Sequence, residues 1–96
     1  IKPDSFIVRI LNGSGEPGAA SRIQADLTKL GFHISEAGTA VNAYPTSVIY
    51  YTASHELQAK VVQTAFNHSN TTLQENQIAS PADVLLVIGA SAAQDN

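Results

Sequence analysis

The chain has no cysteine, no methionine and no tryptophan among its 96 residues. Without cysteine there is no disulfide staple, no thiolate nucleophile and no Cys-ligated zinc. That absence fits an extracytoplasmic bacterial domain. Charge is sparse as well: Asp, Glu, Lys and Arg make up 14% of the residues, below the usual ~25%, so Asn, Gln, Ser and Thr supply the polar surface. The net charge is −3 and the five basic residues are scattered. No basic stripe exists to neutralise phosphates, which excludes nucleic acid as the expected partner. No apolar run approaches the ~20 residues that span a bilayer; the longest, Val84 to Ile88, reads as a buried strand. With no methionine there is no initiator. The chain is therefore expected to be a piece of a longer protein, whose signal or membrane anchor lies outside it.

What is present is enough for one domain. An apolar content of 44% supports a single core, and no internal repeat divides the chain. Residues 1–5 read as the end of a linker, because Pro3 and Asp4 discourage regular structure. Phe6 to Leu11 alternates as a strand, with Phe6, Val8 and Ile10 facing the core. A turn follows, and Pro17 suits the first position of a helix. That helix carries an apolar stripe at Ala20, Ile23, Leu27 and Leu30 and closes at Gly31. Phe32 to Ala37 forms a second strand, Gly38 to Thr46 a loop, and Ser47 to Tyr51 a strand apolar on both faces. Ser54 is placed to cap a second helix with its apolar side at Leu57, Val61, Val62, Ala65 and Phe66. Thr71 to Gln74 is a short edge strand, and Val84 to Ile88 the last buried one, stopped by Gly89. Residues 90–96 read as a flexible tail.

The order β-α-β-β-α-(β)-β predicts an α/β (α+β) two-layer sandwich with a mixed sheet of about five strands and two helices. The nearest named architecture is the ferredoxin-like split βαβ. The helix-free loop between the second and third strands points to an antiparallel pair.

The spacing Gly13-x-Gly15-x-x-Gly18 follows a strand and opens a helix, and Glu36 lies downstream near the end of the second strand. A dinucleotide site uses such features: a tight turn, close backbone approach to pyrophosphate, and an acid on the ribose. The chain is too short for two mononucleotide-binding halves, however. The favoured reading is structural. Asn12 and Gly13 turn the chain, Gly15 gives clearance, and Gly18 lets the helix sit against the sheet.

The ordered set Val8-x-Ile10-Leu11-Asn12-Gly13-Ser14-Gly15, Gly18-Ala19-Ala20, Leu27-x-x-x-Gly31-Phe32, Thr46-x-Val48-Ile49-Tyr50-Tyr51 and Ala82-Asp83-Val84-x-x-Val87-Ile88-Gly89 resembles the LytR C-terminal domain family. The likeness covers residues 6–89. Members follow a LytR-CpsA-Psr catalytic domain, or stand alone behind one membrane anchor, in Gram-positive and especially actinobacterial envelope proteins. The resemblance implies a non-catalytic, extracytoplasmic accessory domain that assists attachment of glycopolymers to peptidoglycan. The ligase's own arginines, acidic residues and divalent metal are not in this sequence.

The expected partners are thus cell-wall glycan (peptidoglycan) or an envelope protein, with membrane contact only through an anchor outside the chain. No cofactor, metal or catalytic residue is expected. His33, His55 and His68 show no i,i+4 pairing, Ser14 does not sit in a G-x-S-x-G turn, and no two carboxylates form a glycosidase pair. The candidate ligand or partner surface is Asn12, Gly13, Ser14, Gly15 and Gly18, with Asn42 and Thr46 from the facing loop, and Tyr51. Of Tyr50 and Tyr51, one is expected in the core and the other at a glycan. Two readings from other classes use the same features: a small nucleotide-binding domain, and a dimerisation or spacer module joined edge strand to edge strand.

Overall fold

A computed structural model of the chain describes residues 5–40, 42–66, 71–75 and 83–90. They form β1 (Ile7–Asn12), α1 (Ala19–Lys29), β2 (His33–Thr39), β3 (Ser47–Tyr51), α2 (Glu56–Phe66), β4 (Thr71–Glu75) and β5 (Val84–Ile88). The two-layer mixed architecture and element order are those the periodicities predict. The linker residues 1–4, the polar run 67–70 with His68, and the tail 91–96 lie outside the described residues. Ala90 belongs to the fold, because its amide donates to the Tyr44 carbonyl at 2.8 Å.

The five strands lie in the order β2-β1-β5-β3-β4. β1 is parallel to both β2 and β5, β3 is antiparallel to β5, and β4 is parallel to β3. This corrects the expected pairing of the second and third strands. They do run in opposite directions, but β1 and β5 lie between them. The segment 40–46 bridges the gap: it reaches up to ~3.3–3.6 Å per residue when extended, and three strand spacings come to ~14 Å. The sheet is therefore two unsplit βαβ units, β1-α1-β2 and β3-α2-β4, joined across the central β5.

One row of side chains runs through all five strands. Ala37, Ile10, Leu86, Ile49 and Leu73 are register partners in turn. Both helices lie on this face, and Ile10, Ile49 and Leu86 are fully buried beneath Ile23, Leu27, Ala59, Val62 and Phe66. Phe6 and Phe32 meet edge to face at 6.0 Å. The opposite face carries Ile7, Leu11, Val48, Tyr50 and Leu85, all half-buried, and no described helix covers it.

α1 ends as its sequence predicts. Gly31 adopts φ 99°, the Gly31 amide donates to the Thr28 carbonyl, and the Phe32 amide donates to Leu27. This is a Schellman closure, with buried Phe32 against buried Leu27. Its start differs from expectation. Pro17 lies in the preceding turn, and Gly18 is the N-cap at φ 84°. α2 starts differently too. The first i→i−4 bond of the helix runs from the Ala59 amide to the His55 carbonyl, which makes His55 the cap. The Ser54 hydroxyl sits 3.2 Å from His55 Nδ1 instead.

Candidate functional site

At the end of the sheet where β1 finishes, three segments are stitched together by backbone hydrogen bonds. The Gly13 amide donates to Ile88, the Ala40 amide to Asn12, the Tyr44 amide to Gly13 and the Ala90 amide to Tyr44. The loop after β1 and the loop before β3 thus face each other, as the sequence reading proposed. Within the first loop Asn12 is the organiser. Its Oδ1 accepts from the Ser14 amide (3.0 Å) and the Ser14 hydroxyl (2.6 Å), and its Nδ2 donates to the Glu16 carbonyl (2.7 Å). The Ser14 Oγ in turn accepts from the Glu16 amide.

Asn12→Ala removes all three contacts while leaving the strand end intact. It is expected to destabilise the chain by about 1–2 kcal/mol. Thermal unfolding followed by circular dichroism measures this, and a loss under a few tenths of a kcal/mol would assign the loop's shape to its glycines alone.

Two shallow clefts flank Asn12. One, of about 170 Å³, is lined by Gly18, Ala20 and Ser21 at the start of α1 and by Ala37, Gly38 and Thr39 at the end of β2. The other, of about 180 Å³, lies between Gly13 and Gly15 on one side and Thr39, Ala40, Asn42 and Ala43 on the other. Of the predicted set, Asn12, Gly13, Ser14, Gly15, Gly18, Asn42 and Thr46 all belong to this end of the sheet. Tyr51 does not. It pairs with Val84, which pairs with Val8, so it lies four strand residues (~13 Å) away and packs against the core. Its phenol is held above the usual value by burial and by the charges of Glu56 and Glu75. Tyr50 is the tyrosine on the open face. A hydrogen bond with the Tyr44 hydroxyl, then burial, raises its phenol above the ordinary range.

The glycines have other roles than the expected ones. Gly15 (φ 80°) and Gly18 (φ 84°) are there for left-handed backbone, and a Cβ on either would meet nothing within 4 Å. Clearance is needed at Gly13, where a Cβ would lie 2.6 Å from Tyr44 Cδ1 and 3.1 Å from the Ile88 carbonyl oxygen. A dinucleotide site assigns the third glycine to close helix–strand packing, and Gly18 has no such contact. Glu36 pairs with Arg9 in mid-strand, three residues short of Thr39 at the strand end. Each cleft is also smaller than the ~300–1,000 Å³ of sites that enclose a small molecule. The geometry does not support nucleotide binding.

One polar cluster escaped the sequence reading. The Thr52 hydroxyl lies 2.6 Å from His55 Nδ1, and His55 Nε2 lies 3.6 Å from Asp83 Oδ1. Asp83 Oδ2 accepts from the Ile7 amide at 3.0 Å. A hydroxyl, an imidazole and a carboxylate in line suggest nucleophilic chemistry, yet neither cleft borders them. The cluster joins the start of α2 to the starts of β1 and β5. The signal was the Thr-x-x-His spacing, which folds the ring back over a helix start.

Residues 5–91 match the family model described as LytR cell envelope-related transcriptional attenuator. The chain belongs to the LytR C-terminal family. That is an accessory domain family rather than a known catalytic one. No curated protein matches this LytR C-terminal domain. Two solved structures share its fold. One is the crystal structure of the soluble domain of a conserved hypothetical secreted protein, the Rv2700 ortholog of Mycobacterium marinum. It is 22% identical with a TM-score of 0.72, and the match covers 93% of this chain and 62% of that one. The other is the solution structure of the C-terminal domain of RV0431, 23% identical with a TM-score of 0.57, covering 93% of this chain and 77% of that one. The domain thus spans less than two thirds of the first neighbour's length.

Proposed function

We propose that this domain is a non-catalytic, extracytoplasmic binding module of a cell-envelope protein. It engages cell-wall glycan through the paired loops at residues 12–18 and 38–46, and so assists an associated glycopolymer-attaching activity at the wall. The observation that carries the reading is the convergence of those loops, in a cell-envelope family, into a shallow surface where amide, hydroxyl and carboxamide groups line the cleft beside α1 and apolar area dominates the cleft beside Asn42. Sugar hydroxyls are matched by such donors and acceptors, and a polymer lying across a surface needs no deep pocket.

The test is co-sedimentation with purified insoluble peptidoglycan. Thr39 and Asn42 are exposed, and Thr39→Trp and Asn42→Trp would fill the two clefts without touching the core. Retention by wild type, with at least a fivefold loss in the double variant (about 1 kcal/mol) at unchanged melting temperature, is the expected result. Equal retention of both proteins would remove these loops from the function. No retention of either, with capture of a protein partner that the tryptophans block, would replace glycan by protein.

A further inference from the structure

A second surface lies on the helix layer, away from the loops. Leu30 and Leu57 are the exposed large hydrophobic residues of the described chain, at 56% and 61%. Helical periodicity alone places both on the buried stripes of their helices, and the structure leaves both in solvent. They flank one groove of about 590 Å³, with Phe32 at the end of α1 and Val61 and Ala65 along α2. α2 therefore has two apolar stripes. Ala59, Val62 and Phe66 reach the sheet, while Leu57, Val61 and Ala65, at i, i+4 and i+8, line the groove. That arc is wider than docking on the sheet requires.

Polarity in the groove is confined to Thr64 and Lys60. The Thr64 hydroxyl donates to the Lys60 carbonyl, which leaves the Lys60 ammonium as the one cation. Among the described residues it forms no ion pair. The volume falls within the ~300–1,000 Å³ range of small-ligand sites, unlike either loop cleft.

We infer that this groove binds a single acyl chain carrying an anionic head group. The hydrocarbon lies along Leu30, Phe32, Leu57, Val61 and Ala65, and Lys60 holds the head. Charge complementarity decides against a second copy of the domain. A two-fold contact centred on the groove would set Lys60 against its own counterpart beside apolar walls, where like charges are unfavourable. The inference does not rest on the glycan reading, since it uses none of the same residues.

The test is calorimetry of the purified chain with palmitate, and with hexadecanol as the uncharged probe, each below its aggregation concentration. One palmitate per chain is expected. Leu57→Asp should weaken both probes at least about tenfold by breaking the apolar wall. Lys60→Gln should weaken palmitate about two- to fivefold and leave hexadecanol unchanged. Lys60→Glu should weaken palmitate further. Both positions are exposed, so circular dichroism should show intact folds, and the lysine variants carry the test if Leu57→Asp does not fold. Absence of saturable palmitate binding overturns the proposal. So does binding indifferent to all three substitutions. Self-association of wild type that Leu57→Asp abolishes, without palmitate uptake, would assign the groove to contact between copies.

Discussion

Gly89→Ala is expected to destabilise the chain by about 3 kcal/mol or more, lowering the melting temperature by at least ~12 °C. A Cβ at Gly89 would overlap the carbonyl carbon and oxygen of Thr46 and come within 2.5 Å of the Ser47 nitrogen. All three are backbone atoms, so no side chain can rotate out of the way. The close approach lets the Gly89 amide donate to the Ser47 hydroxyl at 2.9 Å, with Ser47 fully buried. Relief of the clash would pull β3 from β5 and leave both groups unpaired, an added cost of about 1–3 kcal/mol. Gly38→Ala is the control. Its Cβ would meet only Leu11 Cδ2 at 3.5 Å, an ordinary contact, and the expected change is under ~1 kcal/mol. Urea titration of the two variants measures the difference. Equal midpoints would mean that the β3–β5 junction yields more easily than its backbone spacing implies.

Gly89 also illustrates how far local pattern reaches. As the residue after Val84–Ile88 it reads as a strand terminator, and it is one. Its steric role depends on β3 passing beside it, and that contact joins residues more than forty positions apart. The same division runs through the fold. Period-two alternation locates β1 and β2, short runs apolar on both faces locate β3 and β5, and helical stripes locate α1 and α2, because those signals are carried by neighbours in sequence. Which strands are adjacent is set by where each βαβ unit buries its helix. A helix-free loop between β2 and β3 suggests adjacency, whereas a seven-residue connection is long enough to cross two strands as readily as it makes a hairpin.

The candidate surface was legible in outline and misassigned in detail. Asn12, Ser14 and the glycines between them announce a turn, and the facing loop was found because both loops had to lie at strand ends. The role of each glycine depended on φ and on Tyr44, neither of which spacing reveals. Tyr50 and Tyr51 were ambiguous because Ser47–Tyr51 is apolar on both faces. Only the register with Val84 shows that Tyr51 looks toward the core, at the far end of the sheet. The groove left a trace in the sequence: α2 has apolar residues at 57, 59, 61, 62, 65 and 66, more than one buried stripe uses.

Leu86→Ala tests whether the two βαβ units are one cooperative body. Leu86 is fully buried on β5, with Ile10 of one unit and Ile49 of the other as its register partners. Removing three carbons there leaves a cavity that neither neighbour can fill, since both are β-branched side chains held in a sheet row. The expected loss is about 2–5 kcal/mol, a large part of the ~5–10 kcal/mol available to a domain this size. Because β5 pairs with β1 of one unit and with β3 of the other, the loss should appear as a shifted midpoint with an unchanged urea dependence. The Gly13 amide bond to Ile88 and the Tyr44 amide bond to Gly13 tie the loop after β1 and the loop before β3 to the same strand, so amide exchange in both loops should accelerate together. A biphasic transition, with β3-α2-β4 melting separately from β1-α1-β2, would show instead that each unit holds its own core and that β5 only bridges them.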